Sequence, residues 1–332
     1  MKGLRRVSVD GVIGLAVVVV AALAPLFLTR YFVSVILVQV LFLGIVGASL
    51  IFLNAYGGMV SLAQVALFGI AGFVLGNIVT NGNTKGLNLG WNPWWGVLLG
   101  LLIATGIGLI FGALASRSVG IYFLMITLTY GVIANVFFGQ VTDLSGFGGI
   151  SGIGAPNPIG NVDAHPNRLY YVALVTSIAV YALIRYVVRT PFGLTLQGVR
   201  DEPVRMSSLG YNVPLHRTLA FGFAAFIAAI GGVLFVWWNG HIDPASIDLS
   251  QTIDVLAIAV IGGLYRLAGA WLGALVFVML ETYLQTVSFV GDRFNTLIGA
   301  IFLVIVLLSP GGLLGVWDRG RNLRRARQPE VA

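Results

Sequence analysis

Ser61 and Gln64 lie three residues apart, just after the glycine pair Gly57 and Gly58. That spacing sets a hydroxyl and an amide on one helical face. Their surroundings, YGGMVSLAQVALFGIAGF at 56–73, are otherwise apolar. Such groups can trade hydrogen bonds with a passing polar solute, but they carry no charge and activate no nucleophile. The glycines loosen the start of the segment, which fits a helix lining a pathway better than one facing lipid. Thr127 and Thr129 offer hydroxyls of the same kind. The candidate path is therefore Gly57, Gly58, Ser61, Gln64, Thr127 and Thr129. Hydrogen bonds between helices account for most other buried-looking polar residues, such as Gln39, Asn54, Asn77, Asn135 and Gln140.

Covalent chemistry finds little to work with. No GxxxxGK[ST] loop exists, and the only lysines are Lys2 and Lys85, so the chain carries no recognisable ATP site. His165, His216 and His241 are far apart and lack the spacing of paired metal ligands. The absence of cysteine removes thiolate sites and disulfides. GISGIG at 149–154 imitates a dinucleotide loop but follows no βαβ strand. Two carboxylates fall in apolar runs. Asp254 stands near the start of one, where a solvated end position and a buried role are both open. Glu281 sits within another, where a structural hydrogen bond to a neighbouring helix competes with a substrate contact.

Charge gathers instead in RTPFGLTLQGVRDEPVRMSSLG, residues 189–210, although charged residues are only 9% of the chain. Pro191 is expected to close the helix before it. Asp201 is expected to cap a short helix over about 201–209, with Glu202 at its positive end, Pro203 in its first turn and Gly210 ending it. Pro203, Met206 and Leu209 would share one face, Glu202 and Arg205 another. So short a helix is marginal alone and needs a partner surface.

The elements that must hold these residues are read from composition. The chain has 332 residues, is 58% hydrophobic and contains 44 glycines, with a mean hydropathy of +0.95. That is too apolar for a soluble core and suits glycine-packed helices in lipid. The fold class is all-α: a polytopic membrane protein of about ten transmembrane or partly re-entrant helices. Spans are expected near 11–29, 31–53, 58–79, 93–115, 119–141, 169–188, 214–238, 252–265, 268–289 and 294–310. The eighth is short enough to be broken or re-entrant. Glycines four apart, at 72 and 76, 96 and 100, 108 and 112, and 269 and 273, favour close helix approach. The first span is read as uncleaved, because Pro25 would follow a cut after Ala22-Leu23-Ala24.

This layout places Arg30, Lys85, Arg168 and Arg293 outside and the rest of the 19 basic residues inside. The asymmetry puts both termini in the cytoplasm. The domain reading is a transmembrane domain over 1–318, with a cytoplasmic loop at about 189–213, and a basic cytoplasmic tail over 319–332. A net charge of +7 then reflects topology; no basic groove with stacking aromatics argues for nucleic acid. The loop at 142–168, rich in glycine and proline, is long enough to cover something.

Five stretches in this order resemble one family. They are GGMVSLAQVALFGIAGF (57–73), SVGIYFLMITLTYGVI (118–133), LSGFGGISGI (144–153), the run from Arg189 to Phe221, and IDVLAIAVIGGLYRLAGAWLGALV (253–276). Together they look like the permease of branched-chain amino acid ABC transporters, LivM-like subunit, over about 32–313. The resemblance implies an importer half-pore that does no covalent chemistry. It implies that Arg200, Asp201, Glu202, Arg205, Met206, Leu209 and Gly210 fall on the coupling helix that docks an ATPase. It also implies a second related permease, two ATPase subunits holding ATP and Mg, and a periplasmic binding protein, in a bacterial inner membrane. The chain itself would need no cofactor. Urea or short amides are alternative cargoes, and a stand-alone secondary transporter is the rival class. An integral-membrane enzyme is disfavoured by the missing catalytic cluster.

Overall fold

The structure, a computed structural model, describes residues 9–81, 86–157, 159, 160, 162, 166–284, 299, 300, 312 and 313. The helices in chain order are α1 (Val9–Phe27), α2 (Val38–Gly57), α3 (Gln64–Val79), α4 (Pro93–Ala115), α5 (Ile121–Gln140), α6 (Pro166–Arg189), α7 (Pro191–Asp201), α8 (Pro203–Ser208), α9 (Val213–Asn239), α10 (Leu249–Gly262) and α11 (Gly269–Leu284). A π-helical turn, Phe32–Leu37, leads into α2 without a break. Two short strands, β1 (Ile150–Ser151) and β2 (His241–Ile242), pair antiparallel.

Among the described residues, five helices are long and apolar enough to cross a membrane: Phe32–Gly57, Pro93–Ala115, Ile121–Gln140, Asn167–Arg189 and Val213–Asn239. The fold is all-α and polytopic, as expected. Apart from residues 299 and 300, the tenth span lies outside the described residues, as does the basic tail at 319–332.

An apolar helix with no polar face is buried among other helices or faces lipid. In α2 the side chains are buried almost throughout. It packs against α9, α11 and α6, while α9 also lies along α3 and α4. The outer helices keep broad apolar faces, including Leu102, Ile110 and Leu114 on α4 and Tyr122, Met125 and Val136 on α5. An exposed apolar surface of that extent suits lipid and not water.

Glycine seams set the spacing. Gly108 and Gly112 of α4 face Ala225 and Phe221 of α9. Gly100 lies against the Ala71 backbone of α3. A Cβ at Gly232 of α9 would lie 2.0 Å from the Phe68 carbonyl oxygen of α3, so the two backbones nearly touch. Of the expected glycine pairs, these contacts place Gly96 and Gly100 against α3, and Gly108 and Gly112 against α9.

The structure corrects three boundaries. The span expected at 58–79 does not start at Gly58; the chain is irregular over 58–63 and α3 begins at Gln64. At 16 residues, α3 is about 24 Å long, short of the roughly 30 Å hydrocarbon core. Pro191 does close α6, but it also opens α7, a helix where a loop was expected. Asp201 is the last residue of α7 and not the cap of the next helix.

Candidate functional site

The break between α2 and α3 has a local cause. Gly58 takes φ 65°, a left-handed conformation that suits glycine. Its N–H donates to the Asn54 carbonyl, and the Met59 N–H returns to the Leu53 carbonyl at 3.0 Å. Those bonds satisfy the last carbonyls of α2 in a Schellman-type ending. Asn54 then ties this end to α10 and α11 by donating Nδ2 to the Leu264 carbonyl at 3.0 Å.

The chain restarts as helix around a buried polar knot. Gln64 Nε2 donates to Ser61 Oγ at 3.3 Å, and Ser61 Oγ also accepts from the Ala63 N–H at 3.2 Å. Gln64 Oε1 lies 3.1 Å from Ser49 Oγ of α2, whose hydroxyl also reaches the Val46 carbonyl at 2.6 Å. The Leu62 N–H donates to Thr127 Oγ1 of α5 at 3.1 Å. Ser49, Ser61, Gln64 and Thr127 are at most 1% exposed. A polar group so buried costs free energy unless paired, and here the pairs link α2, the irregular link and α5. The knot is neutral throughout, so it can exchange hydrogen bonds but not protons. The first N–H groups of α3 lack intrahelical partners, which leaves a partial positive charge at its buried start.

Of the expected path residues, Ser61, Gln64 and Thr127 meet here, and Gly57 and Gly58 form the adjoining bend. Thr129 stands apart. It is exposed on another face of α5 and donates to the Met125 carbonyl at 3.0 Å. Ser49 belongs to the knot and was not expected.

The charged stretch forms a second structure beneath the same bend. Thr190 caps α7 by accepting from the Gly193 N–H at 3.4 Å, and Pro191 occupies its first turn. One side of α7 is buried through Gly193, Leu196 and Val199. The chain breaks at Glu202, and Pro203 starts α8. Gly210, with φ 90°, follows it. No residue of α8 is buried. Glu202 and Arg205 are exposed, with Val204 at 77% and the adjoining Leu209 at 65%. Met206 differs from expectation: it turns back toward α7, close to Gly198.

Arg200 reaches the other way, toward the end of α2, while staying partly exposed. Its Nη1 donates to the Ala55 carbonyl near the end of α2, and its Nε to Asp201 Oδ1 at 2.7 Å. A Cβ on Gly58 would lie 2.7 Å from Arg200 Cγ. A cation is favoured at the carbonyl ends of α2 and of its own helix. The hydrogen bond from Arg200 holds the Asp201 carboxyl below its ordinary value. For a lowered carboxylate, the contribution is complete above the unfolded value of about 3.9 and is lost as pH falls through the folded one. The pair is therefore indifferent to pH near neutrality.

Glu281 meets the structural expectation: Gln39 Nε2 donates to its Oε2 at 3.3 Å, joining α2 to α11. Asp254 lies in the second turn of α10, half-buried, and repels Glu281 electrostatically. The glycine-rich loop is pinned to the end of α9 by β1 and β2, with Ser151 Oγ and His241 Nδ1 2.8 Å apart. His165 lies outside the described residues.

Residues 32–306 match the family described as branched-chain amino acid transport system / permease component. The chain is 22% identical to the LivM permease protein of Salmonella typhimurium, over 90% of this chain and 74% of that one. It is 25% identical to a probable LivM permease protein of Methanocaldococcus jannaschii, over 78% and 81% of the two chains. With LivM of Escherichia coli K12 it shares 24% identity over 64% of this chain and 55% of that protein. LivH of the same organism is 27% identical over 43% of this chain and 46% of its own length. No solved structure matches.

Proposed function

The chain belongs to the family of branched-chain amino acid transport permease components, and from that membership we propose that it is one half of the membrane pore of an ATP-binding-cassette importer. Its cargo is a branched-chain or related amino acid delivered by a periplasmic binding protein. A second, LivH-like permease completes the pore, and two ATPase subunits supply ATP hydrolysis in trans with Mg. The setting is a bacterial inner membrane, with both termini and the α7–α8 pair in the cytoplasm.

The observation that carries this reading is α8. It is a helix of 6 residues with none buried, resting on α7 and the start of α9. A free-standing helix of that length does not persist in water, and its exposed Val204, Arg205 and Leu209 present a mixed apolar and charged face. A secondary transporter does not require an ATPase dock. Along the proposed path, the knot at Ser49, Ser61, Gln64 and Thr127 offers donors, acceptors and a helix start that favours a carboxylate.

Arg205→Glu with Leu209→Asp tests the reading in the assembled complex. An arginine in a desolvated contact matters by about 2–5 kcal/mol when its pair is broken, so affinity for the ATPase should fall roughly 30-fold or more. The variant chain should insert normally but lose co-purifying ATPase or hydrolyse ATP without import. Normal pull-down and normal uptake in proteoliposomes would refute the docking role and restore the secondary-transporter reading.

A further inference from the structure

We infer that Arg200 is a positioning residue that ties the ATPase-docking helices to the bend in the α2–α3 span, so that movement of α7 and α8 is delivered to the polar knot through one guanidinium. This rests on the importer reading above and adds to it where the motion goes.

The geometry divides the charged stretch into two faces. Val204, Arg205 and Leu209 point outward. Met206 turns inward toward Gly198 of α7, where a Cβ would lie 3.0 Å from its sulfur, so this side chain of α8 packs closely on the backbone of α7. Along α7 the buried Leu196 and Val199 lead to Arg200. Arg200 then meets the bundle where the chain can bend: its fork reaches the Ala55 carbonyl, and its stem lies against Gly58. Beyond Gly58 the irregular stretch has no helical ladder; it is held by the bond from the Met59 N–H to the Leu53 carbonyl, the Ser61 and Thr127 hydrogen bonds and the burial of Met59, Leu62 and Ala63.

Two features make this a linkage and not a passive brace. Gly58 is the point at which the helical ladder of α2 stops, so a shift in the Ala55 carbonyl redirects everything after it. Arg200 also holds Asp201 at the exit of α7, where the chain turns into α8. One side chain thus grips both ends of the lever. An unbroken helix or a shorter cation would lack one of those grips. Energetic coupling can be carried by chains of packed groups between its ends, and such a chain runs here through Met206, Gly198, Arg200 and Gly58.

The chain contains no cysteine, so Val60→Cys places a single thiol in the irregular stretch. In the full complex in nanodiscs, its maleimide labelling rate is compared with and without vanadate-trapped nucleotide. The rate should change with nucleotide in the otherwise unmutated complex. With Arg200→Gln the change should collapse and import should drop roughly tenfold, while the ATPase still co-purifies and still hydrolyses ATP. Arg200→Lys, which keeps the charge and one donor but not the fork, should fall between. Full import by Arg200→Gln, or a thiol that responds to nucleotide equally with and without Arg200, overturns the linkage. So does a thiol that ignores nucleotide altogether. Failure of the parent reading looks different: no ATPase then co-purifies with the unmutated chain, and ATP drives no uptake.

Discussion

Gln64 is the residue on which the polar knot turns, since its amide spans Ser61 on one side and Ser49 on the other. Replacing it with leucine keeps the volume and removes both contacts. Stranding buried hydroxyls costs about 1–3 kcal/mol, and the knot loses its tie between α2 and the irregular link. Gln64→Leu is expected to cut uptake while the assembled complex still purifies; unchanged uptake would reduce the knot to a brace. Ser61 and Gln64 were legible because a one-turn spacing after two glycines is a local pattern. Ser49 was not, because its partner lies 15 residues away across a break, and a lone serine in an apolar helix has no spacing to betray it. Thr129 shows the opposite lesson. Residues two apart do not share a helix face, so Thr127 and Thr129 had to part.

At the scale of elements, apolar length located the spans, and small-residue spacing marked helix faces that meet. Where a span stops being helical was harder to see. Gly57 and Gly58 announced a weak point, yet the irregular stretch through Ala63 depends on hydroxyls from other helices. Pro191 was read as a stop, and it is equally a start, because a proline without an N–H costs nothing in a first turn. The α3–α9 contact gives a sharp test. Gly232→Ala drives a methyl into the Phe68 backbone, and rigid backbone cannot yield as a side chain can; overpacking of this kind costs about 1–3 kcal/mol. Gly106 of α4 has nothing within 4 Å of its missing methyl, so Gly106→Ala should be neutral or stabilise by up to about 1 kcal/mol. Thermal melts of the two purified variants should move in opposite directions, or only the first should move.

For the whole molecule, the charge pattern predicts which surface faces which compartment. Single thiols at Asn157 and Ser207, both exposed, separate the alternatives in a cysteine-free background. An impermeant reagent should reach Asn157→Cys in intact spheroplasts, and Ser207→Cys only after permeabilisation. Labelling of Ser207→Cys from outside would invert the layout and remove α8 from any cytoplasmic partner. Overall apolarity could reveal a membrane bundle but not its centre. By composition α2 differs little from α4; only packing makes one the axis and the other a lipid-facing wall.

The pairing of Ile150 and Ser151 with Ile242 and His241 has a consequence for how the protein is made. The two strands are 90 residues apart in the chain. At a synthesis rate of about 5–20 residues per second, the first strand waits roughly 5–20 s for the second. During that interval α6 to α9 are made, including two of the five helices long and apolar enough to cross a membrane. The loop can therefore close only after α9 and β2 have been made. A ribosome stalled before His241 would leave the glycine-rich loop without its partner strand, unlatched until the rest of α9 and β2 is made.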